Sequence, residues 1–413
     1  MKFPRPRTIY LFMRAVVYHG VGDIRLEDVK EPRIRERSDA IVRLTASAIC
    51  GTDLHMVRGT LPGMKRGTIL GHEGVGIVEE LGKGVRNLAV GDRVVIPSTI
   101  ACGICAYCRS GYYAQCDNAN PRGAGTAFFG GPEASGGFDG LQAEKARIPF
   151  ANITMIKLPD EVSDDQAILI SDIFPTGWFG ADNAEIRAGN TVAVFGCGPV
   201  GQFAIASAKL MGAGRIIAVD HRGDRLAMAR RQGAECIDFD REDPIETILE
   251  MTGGIGADRV IDAVGVDSEH AHGGAAAKEA GQHEAEFRKE VQRVAPEQDA
   301  QGELWKPGDA PSQTLRWCVA AAAKAGTVSI IGVYPPGMNS FPIGEAMNKN
   351  LRINMGNCNH RRYAPHLVEL VRIGAIDPTE ILTKVMPIEN ALEAYEHFDQ
   401  RETGWTKVEL KAA

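Results

Sequence analysis

Thr191-Val-Ala-Val-Phe195-Gly196-Cys-Gly198-Pro-Val-Gly201 is the stretch that decides the fold. Its first five residues form a short apolar run, which is typical of a buried strand. A glycine-rich turn follows at once, and residues 199–211 then read as a helix. A second apolar run at residues 215–219 ends at Asp220. Strand, glycine turn, helix, strand and terminal acid stand in the order that predicts a dinucleotide-binding unit.

Each glycine of this turn has its own predicted role. Gly196 allows the tight turn, Gly198 lets the backbone approach a pyrophosphate, and Gly201 lets the helix pack on the strand. The start of the helix offers free N–H groups and a positive dipole to the phosphates. The turn is therefore the predicted pyrophosphate site.

Asp220 bears on the choice of coenzyme. Its carboxylate would accept hydrogen bonds from the adenosine ribose, which favours NAD over NADP. His221, Arg222 and Arg225 stand beside it in the sequence, so some use of NADP stays open.

Strands and helices continue to alternate as far as residue 265, which predicts a doubly wound parallel sheet. Residues 266–312 interrupt this alternation with more acidic than basic residues and a Glu/Lys/Ala-rich helical stretch at 275–294. A charged run of this kind is typical of a solvated surface insertion. The alternation resumes after residue 312.

Residues 14–98 read as short strands between Gly, Pro and Asp turns, with Cys50 and His72 in the loops. Cys and His bind zinc or a similar borderline metal, and a catalytic zinc needs three protein ligands and an open position. Asp172 is a candidate third ligand, because a carboxylate can complete such a set. An Asp before an apolar residue and Pro175 is also typical of a helix cap, so both interpretations stay open.

Four closely spaced cysteines predict a second metal site. Thiolates at this spacing can close on one tetrahedral zinc ion, which leaves no open position for catalysis. An iron–sulfur cluster is the rival, but ferredoxin runs place the last cysteine three residues on and follow it with proline. Here the last gap is longer and Asp117 follows. The four residues are Cys102, Cys105, Cys108 and Cys116.

The composition narrows the class of protein. The chain has 413 residues, 44% of them hydrophobic, and lacks an apolar run long enough to predict a membrane span. The net charge of −7 argues against a nucleic-acid-binding surface, which needs a basic face. Nine cysteines, an odd and partly clustered set, indicate a reducing compartment, and we expect the cytoplasm. Residues 1–12 lack the features of a signal peptide, so we interpret them as a loose extension or an artefact of start-site choice.

Together, the Gly71-His72-Glu73 run, the four cysteines and Ser171-Asp172-Ile173-Phe174-Pro175-Thr176-Gly177 resemble the zinc-dependent alcohol dehydrogenase family of medium-chain dehydrogenases. Within it they most resemble the glutathione-independent formaldehyde dehydrogenase branch. The resemblance implies an α/β fold with a GroES-like β catalytic domain at residues 1–176 and 347–413. It also implies a Rossmann doubly wound parallel sheet as the coenzyme domain at 177–346, with the insertion at 266–312. A homotetramer, or a homodimer, is the implied assembly.

The resemblance implies a role for residues throughout the chain. A catalytic zinc would be bound by Cys50, His72 and Asp172, and Thr52 and His55 would form a proton relay. Glu73 would be a carboxylate near the metal. The implied ligands of a structural zinc are Cys102, Cys105, Cys108 and Cys116. The implied coenzyme-binding residues are Gly196, Gly198, Pro199, Val200, Gly201, Asp220, Arg225, Val264, Val333 and Lys407, the last of them at the pyrophosphate.

The implied activity is hydride transfer to NAD from a primary alcohol or a hydrated aldehyde of the formaldehyde type. A broad alcohol or polyol dehydrogenase and an aldehyde dismutase that retains NAD are alternatives. A metal-free reductase of the quinone-reductase type would lack these cysteines, and a nucleic-acid-binding zinc ribbon would need a basic stripe.

Two residues depart from the pattern of the family. Gly51 stands where some relatives place a basic residue against the pyrophosphate. Thr99 stands where liver-type enzymes carry a bulky aromatic side chain, which implies a roomier and more polar pocket.

Overall fold

The computed structural model describes residues 11–412 except 122 and 124, so residues 1–10 of the predicted extension lie outside the described part. The described strands form a two-stranded hairpin, a seven-stranded sheet and a six-stranded sheet. In chain order they are β1 (Phe12–Gly20), β2 (Asp23–Lys30), β3 (Ala40–Ile49), β4 (Gly74–Leu81), β5 (Arg93–Ile96), β6 (Lys145–Ile148), β7 (Ile156–Lys157), β8 (Thr191–Phe195), β9 (Arg215–Asp220), β10 (Glu235–Asp238), β11 (Ala257–Asp262), β12 (Ala322–Ile330), β13 (Arg352–Met355), β14 (Lys384–Pro387) and β15 (Val408–Lys411).

Helices cover both sheets and connect their strands. In chain order the α-helices are α1 (Gly51–Arg58), α2 (Ala106–Arg109), α3 (Ala151–Thr154), α4 (Asp164–Ile170), α5 (Ile173–Asn183), α6 (Pro199–Leu210), α7 (Gly223–Arg231), α8 (Pro244–Met251), α9 (Gly274–Val294), α10 (Gln313–Ala321), α11 (Ile343–Asn348), α12 (His360–Arg372) and α13 (Ala391–Asp399). Among the residues described, none of these helices combines the length and apolarity that crossing a bilayer requires.

The six-stranded sheet is parallel throughout, in the order β10-β9-β8-β11-β12-β13. Val192, Val194, Val260 and Ile261 of its central strands are completely buried, as expected where helices cover both faces. The strand order reverses between β8 and β11, which opens a crevice at their carboxyl ends. The predicted Rossmann sheet is confirmed.

The seven-stranded sheet runs in the order β14-β15-β3-β4-β5-β7, with β6 also paired to β3. Its pairs are antiparallel except for β14 and β15. The last strand lies against β3, with Val408 opposite Ile49, so the end of the chain returns to the sheet formed near its beginning. This is the predicted GroES-like β domain.

Strand β13 corrects the predicted domain boundary. It pairs in parallel with β12, with Thr327 opposite Arg352 and Ile330 opposite Met355. The prediction that all residues from 347 onwards belong to the catalytic domain is therefore wrong for this strand, and the return begins after Met355. A four-residue edge strand without a fully buried side chain has no periodicity that assigns it to one sheet.

The interrupting segment, residues 266–312, is only partly a surface feature. Helix α9 buries Ala276, Ala280 and Phe287 along one face and exposes much of the rest. The beginning of the segment is different, because the Asp267 side chain is only 12% exposed and faces the catalytic domain. The surface interpretation therefore applies to α9 and not to the start of the segment.

Candidate active site

Three buried side chains from distant parts of the chain converge next to the crevice. Cys50 directly precedes α1, His72 lies just before β4, and Asp172 directly precedes α5. Asp172 Oδ2 lies 3.5 Å from Cys50 Sγ and 3.3 Å from His72 Nε2. With zinc–ligand bonds of about 2.0–2.3 Å, the edges of a tetrahedron measure about 3.3–3.8 Å. Both separations therefore fit a tetrahedral zinc ion, and the ligand atoms of Cys50 and His72 lie within 4.8 Å of each other. Three protein ligands would leave a fourth position open.

The ring of His72 shows which of its nitrogens suits a metal. Nδ1 lies 3.1 Å from Asp53 Oδ1, whereas the buried Nε2 faces Asp172 Oδ2 at 3.3 Å. A carboxylate on one ring nitrogen fixes the ring and leaves the other nitrogen as a ligand, as in most metal-bound histidines. Asp53 Oδ2 also accepts a hydrogen bond from the Cys50 N–H at 2.9 Å. One carboxylate thus positions two of the three candidate ligands.

Electrostatics at these three residues also suits a cation. Burial, and then the Asp172 carboxylate, raises the pKa of the Cys50 thiol. Burial acts to raise the pKa of Asp172 as well, but hydrogen bonds from His360 and His72 hold it well below its usual range. A cation that binds here would therefore meet an ionised carboxylate and release a proton from Cys50.

The second oxygen of Asp172 is held by residues that the sequence did not single out. His360 Nε2 lies 2.7 Å from Asp172 Oδ1, and the Ser98 hydroxyl donates to the same oxygen at 3.0 Å. His360 is the first residue of α12 and is buried. Its only signal in the sequence is the polar Asn359-His360 pair that opens an amphipathic helix.

Glu73 is paired with Lys407 in the interior. Lys407 Nζ lies 2.6 and 2.7 Å from the two Glu73 carboxylate oxygens and donates to the Ile49 carbonyl at 3.1 Å. Both side chains are fully buried, so this ammonium does not reach the crevice. The predicted contact of Lys407 with a pyrophosphate is corrected accordingly, because a buried ammonium needs a buried counter-charge. A Glu73 carboxylate oxygen lies within 4.8 Å of the ligand atoms of the three converging residues.

The four-cysteine lobe has the geometry of a closed metal site. Its sulfur atoms all lie within 4.8 Å of one another, and Cys105 Sγ is 4.0 Å from Cys116 Sγ. With zinc–sulfur bonds of about 2.3 Å, the expected edge is about 3.8 Å. Cys102 Sγ accepts hydrogen bonds from the backbone of Ile104 and from the Asn118 amide, which hold the sulfur in place. All nine cysteines of the chain are free, so no disulfide competes for these sulfurs.

The glycine loop lines the crevice at the end of β8. A Cβ at Gly201 would overlap the carbonyl oxygen of Gly196, and Gly196 has a φ of +88°, which strains other residues. By contrast, a Cβ at Gly198 would meet only Arg225, at 3.8 Å. Helix α6 begins directly after Gly198, so its positive end lies at this opening. The loop therefore has both the open backbone and the dipole that a pyrophosphate requires.

Most of the other predicted coenzyme-binding residues are found around this crevice. Four of them line it, namely Pro199, Asp220, Arg225 and Val264. Val200 is half-buried in the first turn of α6, and the Val333 carbonyl accepts a hydrogen bond from Val266 at 2.9 Å. From the opposite side, the crevice is lined by Gly51, where a Cβ would have nothing within 4 Å.

Asp220 is fixed at the end of β9 by backbone N–H groups. Cys197 and His221 each donate at 2.7 Å, and Arg222 donates at 2.9 Å. The carboxylate is therefore held as a fixed negative charge beside the glycine loop.

Thr52 and His55 both lie on α1. Thr52 Oγ1 is 4.0 Å from Cys50 Sγ, and His55 lines the crevice with Nδ1 2.8 Å from Thr60 Oγ1. Asp267 Oδ2 lies 3.4 Å from the same ring nitrogen. Burial lowers the pKa of His55, and Asp267 only partly opposes this effect. The imidazole is therefore neutral near pH 7, as a proton acceptor must be.

Ion pairs across the crevice were not predicted. Arg58 is almost fully buried between Asp267 and Asp399, and Arg401 pairs with Glu269. Arg58 and Arg401 stand in the catalytic part of the chain, whereas Asp267 and Glu269 belong to the segment that interrupts the coenzyme domain. In the sequence, Asp267 and Glu269 look the same as the solvent-exposed acidic residues of α9 that follow them.

Two family models match this chain. The model described as the alcohol dehydrogenase GroES-like domain matches residues 36–160, and the model described as zinc-binding dehydrogenase matches residues 199–282. The first range contains Cys50, His72 and the four-cysteine lobe, and the second begins in the glycine loop.

Curated relatives match over almost the whole length. An uncharacterised zinc-type alcohol dehydrogenase-like protein of Bacillus subtilis is 39% identical over 97% of this chain and 100% of its own length. A glutathione-independent formaldehyde dehydrogenase of Pseudomonas aeruginosa is 33% identical over 94% of each chain.

Solved structures agree with the sequence matches. The alcohol dehydrogenase of Thermus sp. ATN1 superposes with a TM-score of 0.79 and 33% identity, covering 97% of this chain and 99% of its own. A putative zinc-binding dehydrogenase of Sinorhizobium meliloti, solved with NADP, gives a TM-score of 0.74 and 25% identity over 97% and 99% of the two chains. With its two domains, its candidate zinc ligands and these relatives, the chain belongs to the zinc-type alcohol dehydrogenase family of medium-chain oxidoreductases.

Proposed function

We propose that this protein transfers hydride from a primary alcohol or a hydrated aldehyde of the formaldehyde type to NAD, with zinc bound by Cys50, His72 and Asp172. The observation that carries the proposal is the convergence of these three ligand atoms within 4.8 Å, with the two separations from Asp172 Oδ2 matching the edges of a zinc tetrahedron. The orientation of the His72 ring supports it, because Asp53 engages Nδ1 and Nε2 is directed at Asp172 Oδ2 among the candidate ligands.

The residues of the chain bind, orient and move a proton. When bound, zinc would lower the pKa of the substrate hydroxyl and NAD would accept the hydride. The Thr52 hydroxyl lies beside Cys50 and is placed to relay the proton of the substrate hydroxyl, receiving that proton as it releases its own. Neutral His55 is the next acceptor towards solvent, since its Nδ1 is engaged by Thr60 and its other nitrogen remains to accept a proton.

The preference for NAD rests on Asp220. Its fixed carboxylate can accept hydrogen bonds from ribose hydroxyls and repels an additional phosphate. Arg222 and Arg225 lie close to Asp220 in the sequence and could bind the additional phosphate of NADP. We therefore expect a preference for NAD, measured as the ratio of kcat/KM for NAD to that for NADP, and not complete exclusion of NADP.

A second zinc is assigned to the four-cysteine lobe. All four sulfurs lie within 4.8 Å of one another, so an ion bound by them would have no open position for a substrate. Such an ion would stabilise the fold of the lobe. One catalytic and one structural zinc per chain is therefore the expected metal content.

The formaldehyde-type substrate is supported by the 33% identical relative and by the carboxylate ligand Asp172. Hydrated formaldehyde is a gem-diol and presents a hydroxyl as an alcohol does. Ser98 and Thr99, both small and polar, lie beside His360 next to this ligand. No bulky aromatic ring stands at Thr99 to exclude a hydrated substrate.

The test is a screen for NADH formation with primary alcohols, polyols and hydrated aldehydes, with metal content measured on the same sample. The proposal expects two zinc ions per chain and the highest kcat/KM for a short primary alcohol or formaldehyde. A preference for polyols would favour the broad dehydrogenase instead. Equal amounts of alcohol and acid from an aldehyde, without net NADH, would favour a dismutase that retains NAD. Turnover without metal in the Cys50 site would end the proposal.

Assembly and location stay predictions. The expected state is a homotetramer, or a homodimer, in the cytoplasm. Light scattering after size-exclusion chromatography measures the first, and fractionation of the native cells tests the second.

A further inference from the structure

We propose that His360 is a positioning residue that holds Asp172 as a single-oxygen metal ligand and so keeps the fourth metal position free. The inference rests on the proposed zinc function. It starts from the two oxygens of Asp172, which face different partners. Oδ2 faces Cys50 and His72, whereas Oδ1 faces His360 and Ser98.

A carboxylate ligand creates a difficulty that a thiolate ligand does not. It brings a second acceptor oxygen into a buried site, and carboxylates bind metals through one oxygen or through both. If Asp172 used both, the position needed by the substrate would be filled. Oδ1 must therefore be engaged elsewhere. His360 Nε2 at 2.7 Å is its shortest contact, followed by Ser98 Oγ at 3.0 Å and Thr176 Oγ1 at 3.4 Å.

His360 is itself fixed by its surroundings. Its Nδ1 lies 3.2 Å from Thr99 Oγ1, which holds the far side of the ring and leaves Nε2–H to donate to Asp172. The side chain is only 3% exposed, which leaves it little freedom to turn away. The ring therefore presents one defined donor to Oδ1.

The backbone around the pair is also held on two sides. Asp172 directly precedes α5 and His360 opens α12, and the two helices are joined where Tyr363 Oη donates to Asp182 Oδ2 at 2.7 Å. Next to His360, the Asn359 Oδ1 atom accepts a hydrogen bond from the Ala114 N–H of the four-cysteine lobe at 2.9 Å. The distance between His360 and Asp172 is thus set by the packing of whole elements.

Two substitutions of similar polarity distinguish a role of His360 in positioning Asp172 from a general disruption of the site. In His360→Gln the amide nitrogen can take the place of Nε2, whereas in His360→Asn the amide reaches only the position of Nδ1. Each protein is prepared with zinc in the four-cysteine lobe and cobalt in the Cys50 site. For His360→Asn we expect weaker visible cobalt absorption, because five-coordinate cobalt absorbs less than four-coordinate cobalt. We expect kcat to fall about 10–100-fold at full metal content. His360→Gln should retain the spectrum of the parent and most of its kcat.

A double-mutant cycle adds a test that does not depend on how well one variant folds. Asp172→Cys replaces the carboxylate by a thiolate, which has no second oxygen to restrain. In that background His360→Asn should change neither the cobalt spectrum nor the affinity for cobalt. An effect of the same size in both backgrounds would show that His360 does not act through Asp172.

The outcomes also separate this inference from the proposed function. If the parent takes up no cobalt at Cys50, the proposed function fails and the inference fails with it. If the parent binds cobalt and His360→Asn leaves both its spectrum and its kcat unchanged, only the role of His360 is overturned.

Discussion

Arg58 Nη1 lies 2.6 Å from Asp267 Oδ2, and this ion pair spans the crevice between the two domains. The guanidinium also donates from Nε to Asp399 Oδ1 at 2.8 Å and is almost fully excluded from solvent. Burial acts to raise the pKa of Asp267, but Arg58 and then His55 lower it to about 2. The carboxylate is therefore ionised at every pH at which the protein is expected to work.

The first prediction follows from that pKa. A carboxyl whose pKa is lower in the folded state contributes stability above its unfolded value, about 4, and loses it as the pH falls towards 2. Asp267→Asn should lower the free energy of unfolding at pH 6 by about 2 kcal/mol or more. The gap between parent and variant should narrow by about 1 kcal/mol at pH 3, as measured by urea denaturation. Asp23→Asn, in an exposed pair with Arg25, is the matched control and should stay within about 0.5 kcal/mol of the parent. A gap that widened on acidification would contradict the assignment.

The second prediction concerns His55 as a proton acceptor. Its lowered pKa keeps it neutral at pH 6.5, so the relay should fail only below that pH. His55→Ala should reduce kcat about 100-fold near pH 7, remove the acid limb of the pH profile and be partly rescued by small buffer bases. Thr60→Val removes the nearer of the two Nδ1 partners, leaves Asp267 in place and keeps the imidazole, so its effect should be smaller. An unchanged pH profile in His55→Ala would rule out the relay.

The third prediction separates the two metal sites. Cys108→Ser should remove one zinc per chain and lower the Tm by more than about 5 °C, because the lobe loses a closed four-thiolate centre. Cys50→Ser should also remove one zinc, but it should abolish turnover with a smaller change in Tm. Cys236→Ser serves as the control, since that thiol lies outside both clusters. Metal analysis and calorimetry on the same samples give both readouts, and equal effects of the first two variants would contradict separate roles.

The fourth prediction concerns coenzyme choice. In Asp220→Ser the backbone N–H groups of Cys197, His221 and Arg222 lose their carboxylate partner and become available to a phosphate. The ratio of kcat/KM for NAD to that for NADP should fall at least about tenfold, since a repelling charge is replaced by donors. Glu235→Gln changes an exposed charge on the neighbouring strand and should leave the ratio unaltered. A ratio that did not move would exclude Asp220 as the discriminating group.

Local signals in the sequence were sufficient to predict the glycine loop and the four-cysteine lobe. The turn at Gly196 depends on a positive φ and on close contacts within a few residues, so its pattern is visible in the sequence. For Asp172, the sequence pattern alone does not decide between a metal ligand and a helix cap. In the structure Asp172 occupies the position before α5, but its carboxylate makes no capping hydrogen bond, and Oδ2 faces Cys50 and His72.

The features that could not be predicted from the sequence depend on contacts between residues far apart in the chain. His360 and Asp172 are 188 positions apart, and a lone histidine at the start of an amphipathic helix looks the same whether or not it meets a carboxylate. The resemblance to the family implies that Lys407 lies at the pyrophosphate. In the structure, however, the returning strand β15 lies beside β3, and Lys407 directly before it pairs with Glu73. Strand β13 is too short and too exposed for its periodicity to assign it to a sheet.

The predicted crossing from the catalytic to the coenzyme domain, after residue 176, lies close to Asp172, and the chain returns between Met355 and His360, so the ligand and its partner stand beside the two crossings. Beyond Asp172, α5 lies on α6, with the rings of Phe174 and Phe203 stacked at 4.6 Å. Any swing of one domain against the other would turn about these crossings, and atoms closest to a hinge axis travel least. If the cleft opened, the coenzyme domain would then move over a long distance while the candidate metal ligands near the hinge would move very little.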